Sequence, residues 1–162
     1  MLSAARIRLR RDLREVEKNP AFGCSVAPKE GNFFVWEGVI TGPQETPYED
    51  GLFRLRITFP DDYPNRPPKV VFLSRMFHPN IYTDGRLCVD FLQNKWTSAY
   101  TVTSILVSIQ SLLHDANPTE GANYEAARLY RNNHAEFVRR VHRTVYASLA
   151  DGEEADHAYD SE

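Results

Sequence analysis

Residues 52–59 read Leu-Phe-Arg-Leu-Arg-Ile-Thr-Phe, so that Phe53, Leu55, Ile57 and Phe59 alternate with Arg54, Arg56 and Thr58. A period of two puts the apolar set on one face and the polar set on the other. This predicts a half-buried antiparallel strand whose inner face must be covered by another layer. The flanking sequence supplies companions. Residues 33–40 are rich in aromatic and β-branched side chains, and residues 42–47, Gly-Pro-Gln-Glu-Thr-Pro, form a turn between the two runs. Residues 69–73 read as a further short strand and residues 23–28 as a weaker first one. Short links between successive strands predict a four-stranded antiparallel meander. Pro60, Pro64, Pro67 and Pro68 fill the link between the third and fourth strands, stiffening it and denying it ladder hydrogen bonds.

The covering layer reads as helical. In residues 1–16, Leu9, Leu13 and Val16 recur at i, i+4 and i+7, with Ser3 placed to cap the helix and Asn19-Pro20 to stop it. Residues 101–113 carry Val102, Ile105, Leu106, Ile109, Leu112 and Leu113 on one face and end before Asn117-Pro118. Residues 123–130 and 134–149 read as two more helices, the latter with Phe137, Val141 and Val145 in register. The expected architecture is α+β: an N-terminal helix, the four-stranded meander, an irregular segment, then C-terminal helices.

At 162 residues the chain has the length of one domain. Its net charge of −3 is unevenly placed: residues 151–162 hold six acids and no Lys or Arg, which leaves residues 1–150 at +3. We expect a domain over residues 1–150 and a disordered acidic tail over 151–162. No apolar run approaches the roughly 18 residues of a membrane span, so no membrane partner is expected. The first 14 residues hold five arginines and no apolar stretch, so a secretory signal is not expected either; Asp12 interrupts the basic run as a mitochondrial leader would not. Basic residues do not interleave with aromatics, so no direct nucleic-acid binding is expected. Two cysteines, Cys24 and Cys88, make no disulfide framework, and a reducing location in cytoplasm and nucleus fits them.

Residues 74–99 hold no period, yet they contain Phe77, Tyr82, Leu87, Phe91, Leu92 and Trp96, too much apolar surface for a disordered stretch. This is the first place to look for chemistry. Cys88 lies inside it, and a thiol is a strong nucleophile even at its free pKa. Cys24, after a Phe-Gly turn, reads as structural. Ten residues before Cys88 stands His78-Pro79-Asn80, in which Pro79 fixes the local chain. The Asn80 amide can donate to an oxyanion developing beside the thiol, or close the loop by bonding nearby backbone; the two roles are compatible. His78 as the base of a cysteine hydrolase is a weaker reading, because no hydrolase signature surrounds Cys88. The remaining histidines show no ligand spacing, so no metal is expected.

The stretch Met76-Phe77-His78-Pro79-Asn80-Ile81-Tyr82-Thr83-Asp84-Gly85-Arg86-Leu87-Cys88 resembles the active-site signature of ubiquitin-conjugating enzymes. Tyr63-Pro64-Asn65-Arg66-Pro67-Pro68 is similar to their proline-rich loop, Trp96-Thr97-Ser98-Ala99 to the loop after the cysteine, and Asn117-Pro118 to a later turn. The resemblance runs from about Ala5 to about Ala147. Within the family it is nearest the DNA-repair and histone-ubiquitylating branch, on Ala4-Ala5-Arg6, Gln93-Asn94-Lys95-Trp96 and the run 104–113.

The resemblance implies the ubiquitin-conjugating fold and a thioester transferase. Ubiquitin passes from an activating enzyme to Cys88 and then to a substrate lysine, usually with a RING-type ligase. Asn80 and Glu120 are the implied catalytic companions, Glu120 orienting the lysine and assisting its deprotonation. His78, Pro79, Tyr82 and Asp90 are implied supports of the site. No cofactor is implied, ATP being used by the activating enzyme. The basic first helix, with Arg6, Arg8, Arg10 and Arg11, is implied as a surface for the activating enzyme. Asn65, Trp96, Thr97, Ser98 and Ala99 are implied where a ligase docks. Implied roles are DNA damage tolerance, histone ubiquitylation and protein degradation, with histones or the replication clamp as substrates. Gly121 departs from the proline many relatives carry, which frees the backbone beside Glu120. The alternative within the same fold is a catalytically silent ubiquitin-binding scaffold.

Overall fold

The computed structural model describes residues 2–118 and 121–160, with side chains through Asp151. Glu120 therefore lies outside the described residues. The chain runs α1 (Ala4–Lys18), β1 (Cys24–Lys29), β2 (Asn32–Thr41), β3 (Leu52–Thr58), β4 (Lys69–Phe72), a single 3₁₀ turn (Asp90–Leu92), α2 (Val102–His114), α3 (Tyr124–Asn132) and α4 (His134–Asp160). The four strands form one antiparallel sheet in the order β1-β2-β3-β4, the expected meander.

The alternation in β3 is realised: Phe53, Leu55 and Ile57 are fully buried while Arg54 stays exposed, and Arg56 reaches across to Glu37 of β2 at 2.9 Å. In register with them, Trp36 and Ile40 of β2 face the same interior. Ile105, Leu106, Ile109 and Leu113 of α2 are buried in the same core. Transferring each such side chain from water contributes about 1.5–3 kcal/mol, so this two-layer contact is the main source of stability. At the other end, α4 packs on β3, where Ser148 Oγ accepts the Leu52 N–H at 3.0 Å.

Helix boundaries follow their caps. Ser3 accepts the Arg6 N–H at 3.2 Å and opens α1. Thr101 and Ser104 form a capping box that starts α2 one residue later than the apolar pattern predicted. Asn123 accepts the Ala126 N–H at 3.0 Å and caps α3. The helix expected over residues 134–149 continues to Asp160, so the acidic residues enter as its last turns. No described helix is long and apolar enough to cross a membrane.

One feature of α1 was invisible to its periodicity. Asp12, which interrupts the basic run of the sequence, is 1% exposed. Its carboxylate accepts from Arg8 Nε at 3.0 Å and from the Tyr63 hydroxyl, and Arg8 also donates to the Tyr100 carbonyl at 2.7 Å. A buried carboxylate persists only when paired and hydrogen-bonded, and this one ties α1 to the loops before β4 and α2.

Candidate active site

The segment leading to Cys88 lacks a period because it is built from isolated pairings. Ile81 bridges Leu87, and Arg86 bridges Val71 at the edge of the sheet, so residues 81–87 form a narrow hairpin stitched to β4. Gly85 makes that turn possible. Its φ of +94° is unfavourable for other residues, and a Cβ there would meet the Phe72 carbonyl oxygen at 2.0 Å. Asp84 completes the turn, accepting the Arg86 N–H at 3.1 Å and its Nε at 2.8 Å.

Behind the hairpin, His78-Pro79-Asn80 is a hub. The Tyr48 hydroxyl donates to the Phe77 carbonyl at 2.7 Å. The Pro79 carbonyl accepts the N–H groups of Ala122 and Asn123 at 3.0 and 3.1 Å. The Asn80 side chain clasps the backbone of Asn117 in both directions, donating from Nδ2 at 2.7 Å and accepting at Oδ1 at 2.8 Å. Its own carbonyl accepts the Cys88 N–H at 2.8 Å. Asn80 is fully buried. It thus links the cysteine to the loop after α2, the loop-closing geometry.

His78 is 1% exposed and both ring nitrogens are engaged. Nδ1 accepts the Asn80 N–H at 2.9 Å, and Nε2 lies 2.7 Å from the Leu112 carbonyl. A carbonyl can only accept, so the ring is neutral with its proton on Nε2. Burial pushes its pKa down to about 4, partly opposed by the Leu112 bond. With neither nitrogen directed at Cys88, the hydrolase reading loses its base.

Cys88 itself is half-buried with a free thiol. The Tyr82 hydroxyl lies beside this thiol, and its interaction with Cys88 raises the tyrosine pKa above its ordinary value. The Arg86 guanidinium stands 4.7 Å from the Tyr82 ring centre and steadies it. Asp90 opens the 3₁₀ turn directly after Cys88 and pairs with Lys95 at 3.4 Å, so it shapes the exit from the site at a solvent-exposed bridge.

The surfaces implied for partners separate into groups. Trp96 Nε1 donates to the Pro64 carbonyl at 2.9 Å, and its ring stacks on Tyr100 at 5.3 Å. That single bond fastens the proline-rich loop to the loop after Cys88, leaving Asn65, Thr97, Ser98 and Ala99 exposed on neighbouring loops. Arg6, Arg10 and Arg11 are exposed on α1, with Arg6 lying over Phe33 and Phe34. Arg8 differs: its side chain is 13% exposed and its charge is committed to Asp12. The reading of Arg8 as a partner contact meets this internal role. Sequence spacing misses three supports of the site, Tyr48, Leu112 and Asn117, because their bonds span 29–37 residues and leave no local signal.

A family model for ubiquitin-conjugating enzymes matches residues 8–145. The chain is 54% identical over 154 residues to ubiquitin-conjugating enzyme E2 2 of Mycosarcoma maydis, covering 94% of this chain and 83% of that protein. It is 49% identical over 151 residues to ubiquitin-conjugating enzyme E2 2 of Trichoderma harzianum, covering 93% and 100%. To ubiquitin-conjugating enzyme E2 1 of Caenorhabditis elegans it is 50% identical over 148 residues, covering 91% and 77%. The helix-meander-helix order, the hairpin ending in Cys88 and these matches agree, and the chain belongs to the ubiquitin-conjugating enzymes, transferases that take ubiquitin from an activating enzyme and pass it on with a ligase.

Proposed function

We propose that Cys88 carries ubiquitin as a thioester. The observation that carries this reading is the placement of the Cys88 thiol, half-exposed beside the Tyr82 hydroxyl, at the end of a hairpin whose backbone is bonded to the buried Asn80. The thiolate attacks the activated C-terminal carboxyl, forming the C–S bond and releasing the activating enzyme's leaving group. A lysine amine then attacks the thioester carbonyl, a C–N bond forms, the C–S bond breaks and the electron pair returns to Cys88. A free lysine has a pKa of about 10.4, so the attacking amine must lose a proton near the site. Glu120, by its position in the chain, is the group we assign to orienting that amine and assisting its deprotonation. Asn80 holds the loop through Asn117, and its side-chain amide is the donor we assign to the oxyanion.

The decisive experiment is a loading assay with ubiquitin, an activating enzyme and ATP, run with and without reductant. A reductant-sensitive adduct that needs ATP and Cys88 and survives Cys24→Ala is expected; an adduct retained in Cys88→Ala sinks the assignment. Loss of lysine discharge, with loading intact, is expected for Glu120→Ala. Arg6, Arg10 and Arg11 are the proposed contact for the activating enzyme, and Asn65 with Thr97, Ser98 and Ala99 for a RING-type ligase. We further assign the chain to the DNA-repair and histone-ubiquitylating branch, with histones or the replication clamp as substrates in nucleus and cytoplasm and no cofactor of its own. The N-terminal motif and the run 104–113 support this branch. Monoubiquitylation of histone in a reconstituted system with a RING ligase tests it.

A further inference from the structure

Beside the hairpin that ends in Cys88 lies a cavity of about 400 Å³ that the transfer chemistry does not use. Three arginines line it: Arg75 from the turn after β4, and Arg140 and Arg143 from α4. Thr83 of the hairpin and Asn123 and Glu125 at the start of α3 complete the rim. Its floor is apolar and fixed. The Arg140 guanidinium lies 4.6 Å from the centre of the Phe77 ring, and Phe77 is 6% exposed. Arg140 is also held by Glu125 at 2.9 Å. Arg75 and Arg143 have no carboxylate within ion-pair distance among the described residues. The other acid near this face, Glu136, is engaged by Arg139 through two bonds of 2.8 Å. The cavity thus keeps two guanidinium groups that no carboxylate among the described residues ties down in an ion pair, and the N-terminal end of α3 adds partial positive charge to its rim. Guanidinium groups bind carboxylates and phosphates through paired, directional hydrogen bonds.

The cavity is rigidly joined to the site. Met76 and Phe77 in its wall immediately precede His78, the Asn123 N–H is bonded to the Pro79 carbonyl, and Thr83 lies five residues before Cys88 in the same hairpin. We propose that this cavity binds an acidic or phosphorylated side chain of the protein whose lysine is modified, and so selects lysines flanked by such a group. The proposal rests on Cys88 as the transfer site for its consequence, but not for binding itself.

The test uses three lysine-containing peptides of one sequence that differ at a single flanking residue: phosphoserine, glutamate or serine. Each is titrated into the full chain while backbone amide resonances are followed. The phosphoserine or glutamate peptide is expected to shift Arg75, Thr83 and Asn123, more weakly at high salt, and the stronger of the two assigns the anion's chemistry. In the Arg75→Glu/Arg143→Glu variant, whose changed side chains are exposed, affinity should fall at least about tenfold. Arg14→Glu, exposed on α1 and outside the cavity, should leave it unchanged. From the loaded thioester, the better anionic peptide should be ubiquitylated several-fold faster than the serine peptide, and the double variant should lose that advantage. Indistinguishable titrations for the three peptides, or equal affinity in the double variant, overturn the proposal. Failure of Cys88 to load leaves the titration readable and counts against the transfer assignment alone.

Discussion

The two cysteines are both half-buried, yet they sit in different surroundings. Cys24 begins β1, paired with Ile40 in the sheet, its N–H bonded to the Ala21 carbonyl, and burial pushes its thiol pKa up to about 11. Cys88 ends a hairpin at the sheet's other side, half-exposed, with a tyrosine hydroxyl at its sulfur and its backbone held by a buried asparagine. Regular sheet surrounds the first with apolar neighbours that penalise charge. The irregular segment places the second past the regular strands, beside the Tyr82 hydroxyl. Burial thus keeps the Cys24 thiol protonated at neutral pH, because desolvation disfavours the thiolate.

The largest expected effect breaks this comparison outright: Cys88→Ala should abolish the thioester adduct, and an adduct on Cys24 would mean that burial does not silence it. Next, labelling with iodoacetamide at pH 7, read by peptide mass spectrometry, should modify Cys88 about a hundredfold faster than Cys24, since a pKa near 11 leaves very little thiolate at neutral pH. Cys24 labelling should climb as the pH approaches 11.

Two further tests sharpen the role of the hub behind Cys88. His78 has a folded pKa of about 4 against 6.5 when free, so between those values the unfolded chain binds more protons than the native one. The stabilisation from keeping it neutral is fully present above pH 6.5 and is lost as pH falls towards 4. It amounts to about 3 kcal/mol at most. Urea midpoints measured from pH 7 to pH 4 should fall accordingly; a flat profile would show that His78 charges freely in the native state. Asn80→Ala removes the two hydrogen bonds of the clasp on Asn117, at a cost of about 2 kcal/mol. It should slow lysine discharge more than loading. The smallest effect is expected for Tyr82→Phe, a change of a few-fold in Cys88 labelling with Cys24 labelling untouched.

Much of this architecture follows from local pattern. The meander, the buried face of β3, the cap at Ser3 and the irregular segment between residues 74 and 99 are properties of short stretches, so neighbouring residues suffice to reveal them. The family signature likewise runs without a break from Met76 to Cys88. Other features depend on pairs far apart in the chain. Asp12 looks like a surface charge until Tyr63 folds over it, and Arg8 looks like a partner contact until it turns to Asp12 and Tyr100. Asn80 becomes a clasp only when Asn117 arrives from beyond α2, and the cavity lined by arginines exists only where α4 crosses the hairpin. Periodicity and turn chemistry are read within a few residues, and they determined the elements and the irregular segment that holds Cys88. Burial and hydrogen-bond partners are set by which distant segments share a core, and those the tertiary structure alone decided.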